Sequence, residues 1–85
     1  MASQLNIRFY EELNDFLPVT RRKVDFNVEL NQPRSVKDLI ESFGVPHTEI
    51  DLIIVNGESV DFDYLVQAAD HISVYPLFRS LDISP

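Results

Sequence analysis

The sequence has no cysteine, few glycines and few basic residues, and whole classes of protein chemistry depend on these residue types. It contains no cysteine, which excludes disulfides, thiolate metal ligands and thiol nucleophiles. Its only glycines are Gly44 and Gly57, whereas a loop that holds phosphate through backbone amides needs several. Lys and Arg number 7 against 14 Asp and Glu, which gives a net charge of −7. Because phosphate binding depends on basic side chains, nucleic-acid binding by this domain alone should be weak.

Long apolar runs are also missing. The longest run, residues 52–55, is far too short to cross a bilayer, and the N-terminus shows no basic segment followed by an apolar stretch, as a signal peptide would. These absences predict a soluble, cytoplasmic protein. The apolar fraction of 45% and the aromatic fraction of 11% are those of a folded globular chain. Residues 1–85 are predicted to form one domain, with 79–85 as a C-terminal tail or interdomain exit.

Alternating apolar residues predict the strands. Leu5, Ile7 and Phe9 alternate with polar or amphipathic neighbours, which is the pattern of a strand with one buried face. Asn56-Gly57 joins two further strand segments and is the strongest short signal for a hairpin turn. The predicted strands are residues 5–10, 24–30, 52–55, 58–60 and 71–75.

One main helix is predicted over residues 36–43. Its apolar residues fall at i, i+3, i+4 and i+7, Ser35 has the chemistry of an N-cap with Asp38 completing a capping box, and Gly44 stands where a helix-terminating glycine belongs. Shorter helical turns are predicted within 11–17 and around 64–65. One helix over several half-buried strands gives a two-layer α+β domain, with a sheet covered on one face.

No catalytic residue, metal site or cofactor is predicted. His47, Glu49 and Asp51 alternate and would share a face of an extended segment, but three such residues without a second cluster are a weak metal signal. A solvated loop is the favoured interpretation. No GxSxG motif of an exposed nucleophile occurs. The sequence therefore predicts a noncatalytic protein.

The only basic run is Arg21, Arg22 and Lys23. Together with Arg8, these residues are the candidate contacts to RNA phosphates. The competing interpretation is a solvated loop that relieves repulsion on an acidic domain. We favour the loop, because so few charges neutralise few phosphates and give little affinity.

The order of these segments resembles the β-grasp (ubiquitin-like) fold, on the helix SVKDLIESFG, the hairpin strand LIIVNG and the closing segment DHISVYP. This resemblance implies a mixed sheet of four to five strands with one main helix. The pattern is similar to the sulfur carriers of thiamine and molybdopterin biosynthesis, which share Val55-Asn56-Gly57 and an aspartate before the last strand, here Asp70. Those carriers end in Gly-Gly, whereas this sequence ends in Ser-Pro, so carrier chemistry is the disfavoured alternative.

A closer resemblance covers almost the whole chain. The segments FYEELNDFLP, SVKDLIESFGVPHTEIDLIIVNGESVDF and VYPLFRSLDISP are similar to the ubiquitin-like domain found in front of bacterial Mut-seven-type C-terminal ribonuclease domains. The resemblance implies a bacterial protein, a fused or adjacent nuclease domain as partner, and a role in RNA processing. The catalytic acids and zinc cysteines of the nuclease have no counterparts in this sequence.

Residues 52–55 are apolar at every position, although a sheet covered on one face needs only alternate residues inside. Two of them should therefore face away from the helix, and the similarity to β-grasp carriers favours Leu52 and Ile54. Near Tyr10 and Tyr75 they would form an exposed apolar patch with aromatic rims, which is typical of a protein interface. Alternatively, residues 79–83 could fold back and cover this patch.

The sequence thus predicts a noncatalytic interaction module that binds a protein partner through the open sheet face formed by Tyr10, Leu52, Ile54 and Tyr75. A divergent sulfur-carrier-like protein and a weak direct RNA-binding domain are the alternatives.

Overall fold

The computed structural model describes residues 3–77 of the chain. Its strands are β1 (Ser3–Phe9), β2 (Phe26–Leu30), β3 (Ile50–Val55), β4 (Glu58–Val60) and β5 (His71–Pro76). The helices of this region are the α-helix α1 (Val36–Glu41) and the 3-10 helices Glu11–Phe16, Val19–Arg21 and His47–Glu49. None of these helices has the length and hydrophobicity that a membrane span requires.

The five strands form one mixed sheet in the order β2-β1-β5-β3-β4. β1 runs parallel to β5, and the other neighbouring strands are antiparallel. β2 and β4 are therefore the two edges of the sheet, and the first and last strands lie side by side within it. The α-helix packs on one face, which confirms the predicted two-layer α+β architecture.

The core lies between one face of the sheet and the inner side of α1. Across the central strands, Ile7 is paired with Ile72 and Ile53 with Val74, so that the period of two directs all four side chains inward. The helix adds Val36, Leu39 and Ile40 to the same cluster. The buried apolar residues are Leu5, Ile7, Phe9, Leu13, Leu17, Val36, Leu39, Ile40, Val45, Ile50, Ile53, Val55, Val66, Ile72 and Val74.

The start of α1 confirms the predicted cap and corrects the capping box. The Ser35 hydroxyl accepts the backbone N–H of Asp38 at 3.0 Å, as an N-cap does. The Asp38 carboxylate instead accepts the Nε–H of Arg34 at 2.8 Å, because a cation competes for it. The helix ends at Glu41, two residues before the predicted end, and Gly44 follows with φ of +87°.

The helical turn predicted around 64–65 is wrong. Tyr64 instead ends a turn in which its N–H donates to the Asp61 carbonyl at 3.1 Å, and Leu65 after it forms an isolated bridge with Ser35. This segment serves the first turn of α1, whose N–H groups have no partner within the helix. The Val36 N–H donates to the Tyr64 carbonyl at 2.7 Å, and the Lys37 N–H donates to the Phe62 carbonyl at 3.2 Å. The segment is therefore shaped by the helix start that it satisfies.

The second strand begins later than its alternation predicts. The register pairs Ile7 with Phe26 and would next pair Phe9 with Val24. The backbone N–H of Lys23 is bound instead by the Asn14 side-chain oxygen at 2.7 Å, and the strands separate before that pair. The basic run predicted as a loop also begins in the 3-10 helix Val19–Arg21.

The Asn56-Gly57 hairpin turn is confirmed. Asn56 has φ of +53° and Gly57 φ of +91°, and a two-residue turn with both central residues in the left-handed region matches the twist of the flanking strands. The turn fixes the register of β3 and β4, with Ile53 opposite Val60. It thereby decides which residues of β3 face the helix.

Candidate interaction surface

β3 presents apolar side chains on both faces of the sheet. Ile53 and Val55 point toward the helix and are only 3% and 4% exposed. Because neighbouring side chains alternate along a strand, Leu52 and Ile54 lie on the opposite face. Leu52 is 40% exposed and Ile54 is half-buried. The structure therefore places these two sequence-predicted residues on the side of the sheet away from α1.

Two tyrosines join this face beside Leu52. Leu52 is paired with Tyr75 across β3 and β5, and the rings of Tyr75 and Tyr10 stack with centroids 4.5 Å apart and planes 12° from parallel. Tyr10 follows the last residue of β1, and its N–H donates to the Val74 carbonyl at 3.0 Å. The four residues predicted as an interaction face are therefore brought together.

Arg8, which the sequence predicted only as a contact to RNA, completes the surface. Its guanidinium carbon lies 5.0 Å from the centre of the Tyr10 ring, within the range of a cation–π contact. The signal available in the sequence was the spacing of two between Arg8 and Tyr10, which places both on one face of a strand. We call Arg8, Tyr10, Leu52, Ile54 and Tyr75 the open-face cluster.

The open-face cluster combines features that are enriched at protein interfaces. Tyrosine and arginine are over-represented there, and the cluster places two tyrosines and one arginine beside the exposed Leu52 and the half-buried Ile54. The Arg8 Nε is buried and has no hydrogen-bond partner within residues 3–77. A buried donor without an acceptor destabilises a protein.

The remainder of the open face is polar. The Asn6 amide donates to the Asn27 side-chain oxygen at 2.6 Å, and Asn6 is paired with the exposed His71. The apolar surface is therefore confined to the end of the sheet where β5 ends. The segment 79–85 and its predicted return over this face lie outside the described residues.

The candidate RNA contacts do not form one surface. The Arg21 guanidinium lies over the rings of Phe26 and Phe43, at 4.9 and 5.5 Å from their centres, on the helix side of the sheet. The Arg22 Nε donates to the Leu17 carbonyl at 2.8 Å. Both guanidinium groups are thus held by contacts within the domain, and Arg21 faces away from Arg8.

Arg8 and Lys23 are the two candidate cations that the structure brings near each other. They line one cavity of about 270 Å³ together with Tyr10, Glu11 and Asn14. Glu11 and Lys23 both have positive φ angles, of +53° and +61°. The Glu11 carboxylate in this lining opposes phosphate binding, because two negative charges repel each other.

The residues weighed for a metal site have other arrangements. His47 and Glu49 lie in a 3-10 helix and not in an extended segment. The His47 Nδ1 and a Glu41 carboxylate oxygen lie 2.5 Å apart, and the His47 backbone N–H donates to the same oxygen at 3.2 Å. These hydrogen bonds lower the pKa of Glu41 below its usual value of 4.5. Within residues 3–77, no group of three His, Cys, Asp or Glu side chains could hold a metal ion.

A family model described as Mut7-C ubiquitin matches residues 2–82. A search of curated proteins gives no match.

Solved structures resemble the fold. A Pyrococcus furiosus protein described as molybdopterin converting factor subunit 1 superposes with a TM-score of 0.64 at 19% identity, over 87% of this chain and 97% of its own. Haloferax volcanii small archaeal modifier protein 1 superposes with a TM-score of 0.64 at 15% identity, over 87% of this chain and 97% of its own. A second structure of that protein gives a TM-score of 0.62 at 14% identity, over 88% of this chain and 96% of its own. At these identities the likeness confirms the β-grasp fold alone.

Proposed function

Because the chain belongs to the Mut7-C ubiquitin family, we propose that it is a noncatalytic ubiquitin-like interaction domain, accessory to an RNA-processing nuclease. Its open-face cluster binds a protein partner, which is the fused or adjacent nuclease domain. On this proposal residues 1–85 are one cytoplasmic domain, and residues 79–85 lead toward the partner. RNA contacts come mainly from the nuclease.

The observation that carries the proposal is the apolar end of the open face. Leu52 and Ile54 lie beside two stacked tyrosines, on the face of the sheet opposite α1. Burying a whole Leu side chain is worth about 1.5–3 kcal/mol, so the exposed 40% of Leu52 leaves about 1 kcal/mol for a partner to gain. Several such side chains in one patch supply the centre of an interface.

Charge supports a nuclease as the partner. The domain carries a net charge of −7, and proteins that bind nucleic acid typically carry basic surfaces. Opposite potentials steer association and disfavour wrong partners. The acidic domain is therefore suited to a basic nuclease and poorly suited to RNA itself.

A sulfur-carrier-like activity is the second candidate, favoured by the structural likeness to molybdopterin converting factor subunit 1 and small archaeal modifier protein 1. Carrier chemistry forms an adenylate on the C-terminal carboxylate. Mass spectrometry of the protein after incubation with ATP and an activating enzyme of that class distinguishes the two. Under the first proposal the intact mass stays unchanged, and an adenylate or thiocarboxylate would support the second.

The test of the first proposal uses matched charge insertions. Calorimetric titration measures binding of the 85-residue chain to a purified Mut7-C-type nuclease domain from the same organism. Leu52→Glu should weaken binding at least about tenfold, because it removes apolar contact and places a charge inside the interface. Val19→Glu is the control, because Val19 is 76% exposed, lies outside the open-face cluster and likewise exchanges an aliphatic side chain for a carboxylate.

The control should bind within about twofold of the unmodified chain, as expected of a surface substitution outside the interface. Equal affinity of all three forms would remove the open-face cluster from the interface. If the unmodified chain does not bind the nuclease domain, the accessory role is refuted. Single-stranded RNA titrated against an Arg21→Glu/Arg22→Glu/Lys23→Glu variant addresses direct RNA binding, for which we expect only weak, salt-sensitive association.

A further inference from the structure

A second concave surface lies on the helix side of the sheet, beside the edge strand β4. It has a volume of about 430 Å³, within the range of pockets that bind ligand groups, about 300–1,000 Å³. We call it the β4-side groove. Its lining residues are Ile50, Asp51, Ile53, Val60, Asp61, Phe62 and Asp63.

The base of the β4-side groove is apolar. Ile50 and Ile53 are buried beneath it, while Val60 and Phe62 are half-buried and expose part of their side chains. The Phe62 ring is held on its other side by an edge-to-face contact with His47, with centroids 5.5 Å apart. The base can therefore receive one apolar side chain without rearrangement of the core.

Three carboxylates surround this base. Asp51, Asp61 and Asp63 are all exposed, and within residues 3–77 none of their side chains forms an ion pair or hydrogen bond. They do not converge on a point, because no group of three acids or histidines in the described region could hold a metal ion. Carboxylates spread along an apolar groove raise the local negative potential and attract separated cations.

We propose that the β4-side groove binds a protein segment that carries Lys or Arg on either side of one apolar side chain. Charge complementarity selects this occupant. The three unpaired aspartates attract the cations, and the apolar base formed by Val60 and Phe62 receives the apolar residue. The position of β4 at the edge of the sheet leaves room for an extended segment to lie alongside, as segments do in strand addition. Nucleic acid is disfavoured by the same charges.

The groove is separate from the open-face cluster. Ile53 faces the groove and Leu52 and Ile54 face the opposite side of β3. A partner in the groove therefore leaves the open face accessible, and the inference does not depend on the function proposed above.

The experiment is an NMR titration of the 15N-labelled 85-residue chain with the peptide acetyl-Lys-Lys-Leu-Lys-Lys-amide. A second peptide with Ser in place of Leu measures the contribution of the apolar base. We expect shifts at Val60, Asp61 and Phe62, and binding of the Ser peptide at least about threefold weaker. That ratio corresponds to part of the transfer free energy of a Leu side chain, about 1.5–3 kcal/mol when fully buried.

Two triple variants separate a local site from the general acidity of the domain. Asp51→Asn/Asp61→Asn/Asp63→Asn neutralises the groove. Glu12→Gln/Asp15→Asn/Glu29→Gln neutralises three exposed acids elsewhere. Each changes the net charge from −7 to −7 + 3 = −4. The groove variant should bind the Leu peptide at least about tenfold more weakly, and the control within about twofold, since isolated surface charges are largely screened.

Three results would overturn the inference. Equal weakening of both triple variants would mean that the peptide responds to net charge alone. Shifts confined to Tyr10, Leu52 and Tyr75 would place the peptide on the open-face cluster. Nuclear Overhauser contacts from residues 79–83 to Val60 in the unliganded chain would show that the groove is occupied by the chain itself.

Discussion

Replacing Asp70 by Asn tests whether one buried carboxylate holds the loop before β5 in place. Asp70 is only 5% exposed. Its Oδ1 accepts the Asn56 side-chain amide at 2.9 Å, and its Oδ2 accepts the Tyr64 hydroxyl and the Gln67 backbone N–H, both at 2.8 Å. The carboxylate therefore joins the β3–β4 turn to the segment that leads into the last strand.

The magnitude follows from these three contacts. In Asp70→Asn one oxygen becomes an NH₂ group, which cannot accept. The amide of Asn56 cannot rotate to compensate, because its own oxygen already accepts the His71 N–H at 2.9 Å. One donor is therefore left unsatisfied, at about 1–3 kcal/mol, and the two remaining hydrogen bonds lose their charge assistance, at about 0.5–1 kcal/mol each. We expect a loss of about 2–5 kcal/mol in the free energy of unfolding.

The assay is urea unfolding followed by far-ultraviolet circular dichroism, with the slope of the transition compared between variants. Asp63→Asn is the matched control, because Asp63 is exposed and undergoes the same chemical change; it should alter stability by less than about 0.5 kcal/mol. A loss below about 1 kcal/mol in Asp70→Asn, with an unchanged slope, would refute the reasoning from unsatisfied donors.

Tyr64 provides an independent spectroscopic readout of the same contact. Burial, and then the hydrogen bond to Asp70 and its negative charge, raise the pKa of Tyr64 above its usual 10.0. In Asp70→Asn the pKa of Tyr64 should fall, as measured by tyrosinate absorbance. In the unmodified protein, the contribution of the Tyr64–Asp70 hydrogen bond to stability is fully present below pH 10.0 and is lost as the pH rises through the folded-state pKa of Tyr64.

Two further predictions concern the Asn56-Gly57 turn and the dependence of stability on pH in the acid range. Gly57→Ala should lower the free energy of unfolding by about 1 kcal/mol, because Gly57 has φ of +91°, which alanine adopts only with strain. An added Cβ would meet nothing within 4 Å, so the loss should come from backbone strain and not from a clash. An unchanged urea midpoint would contradict this. The hydrogen bonds to His47 lower the pKa of Glu41. The contribution of this contact to the free energy of unfolding is therefore present above pH 4.5 and is lost as the pH falls through the folded-state pKa of Glu41. Glu41→Gln should flatten that part of the pH–stability curve, and parallel curves for both forms would show that the contact contributes nothing.

The features that the sequence predicted correctly are those decided by neighbouring residues. Ser35 caps α1 because its hydroxyl reaches an N–H only three residues away, and Asn56-Gly57 turns because both residues tolerate positive φ. The apolar excess of residues 52–55 likewise follows from the alternation of one strand. In each case the determining contact lies within a few residues, so the pattern alone carries the information.

The features that the sequence missed are decided by contacts distant along the chain. The conformation of Tyr64 follows from the N–H groups of α1, about thirty residues earlier. The start of β2 depends on the Asn14 side chain, which binds Lys23. The β4-side groove joins Asp51 from one strand with Asp61 and Asp63 from the following loop. Read along the chain, those carboxylates are simply solvated acids, and only the fold shows that they surround one apolar base.

The two proposed surfaces divide β3 between them, and this arrangement makes their effects separable. Alternate residues of one strand serve opposite sides of the sheet, so Leu52→Glu changes the open-face cluster and Asp51→Asn changes the β4-side groove, although the two residues are adjacent. Each substitution should therefore weaken binding at its own surface and leave binding at the other surface intact, since sites without shared partners are largely independent.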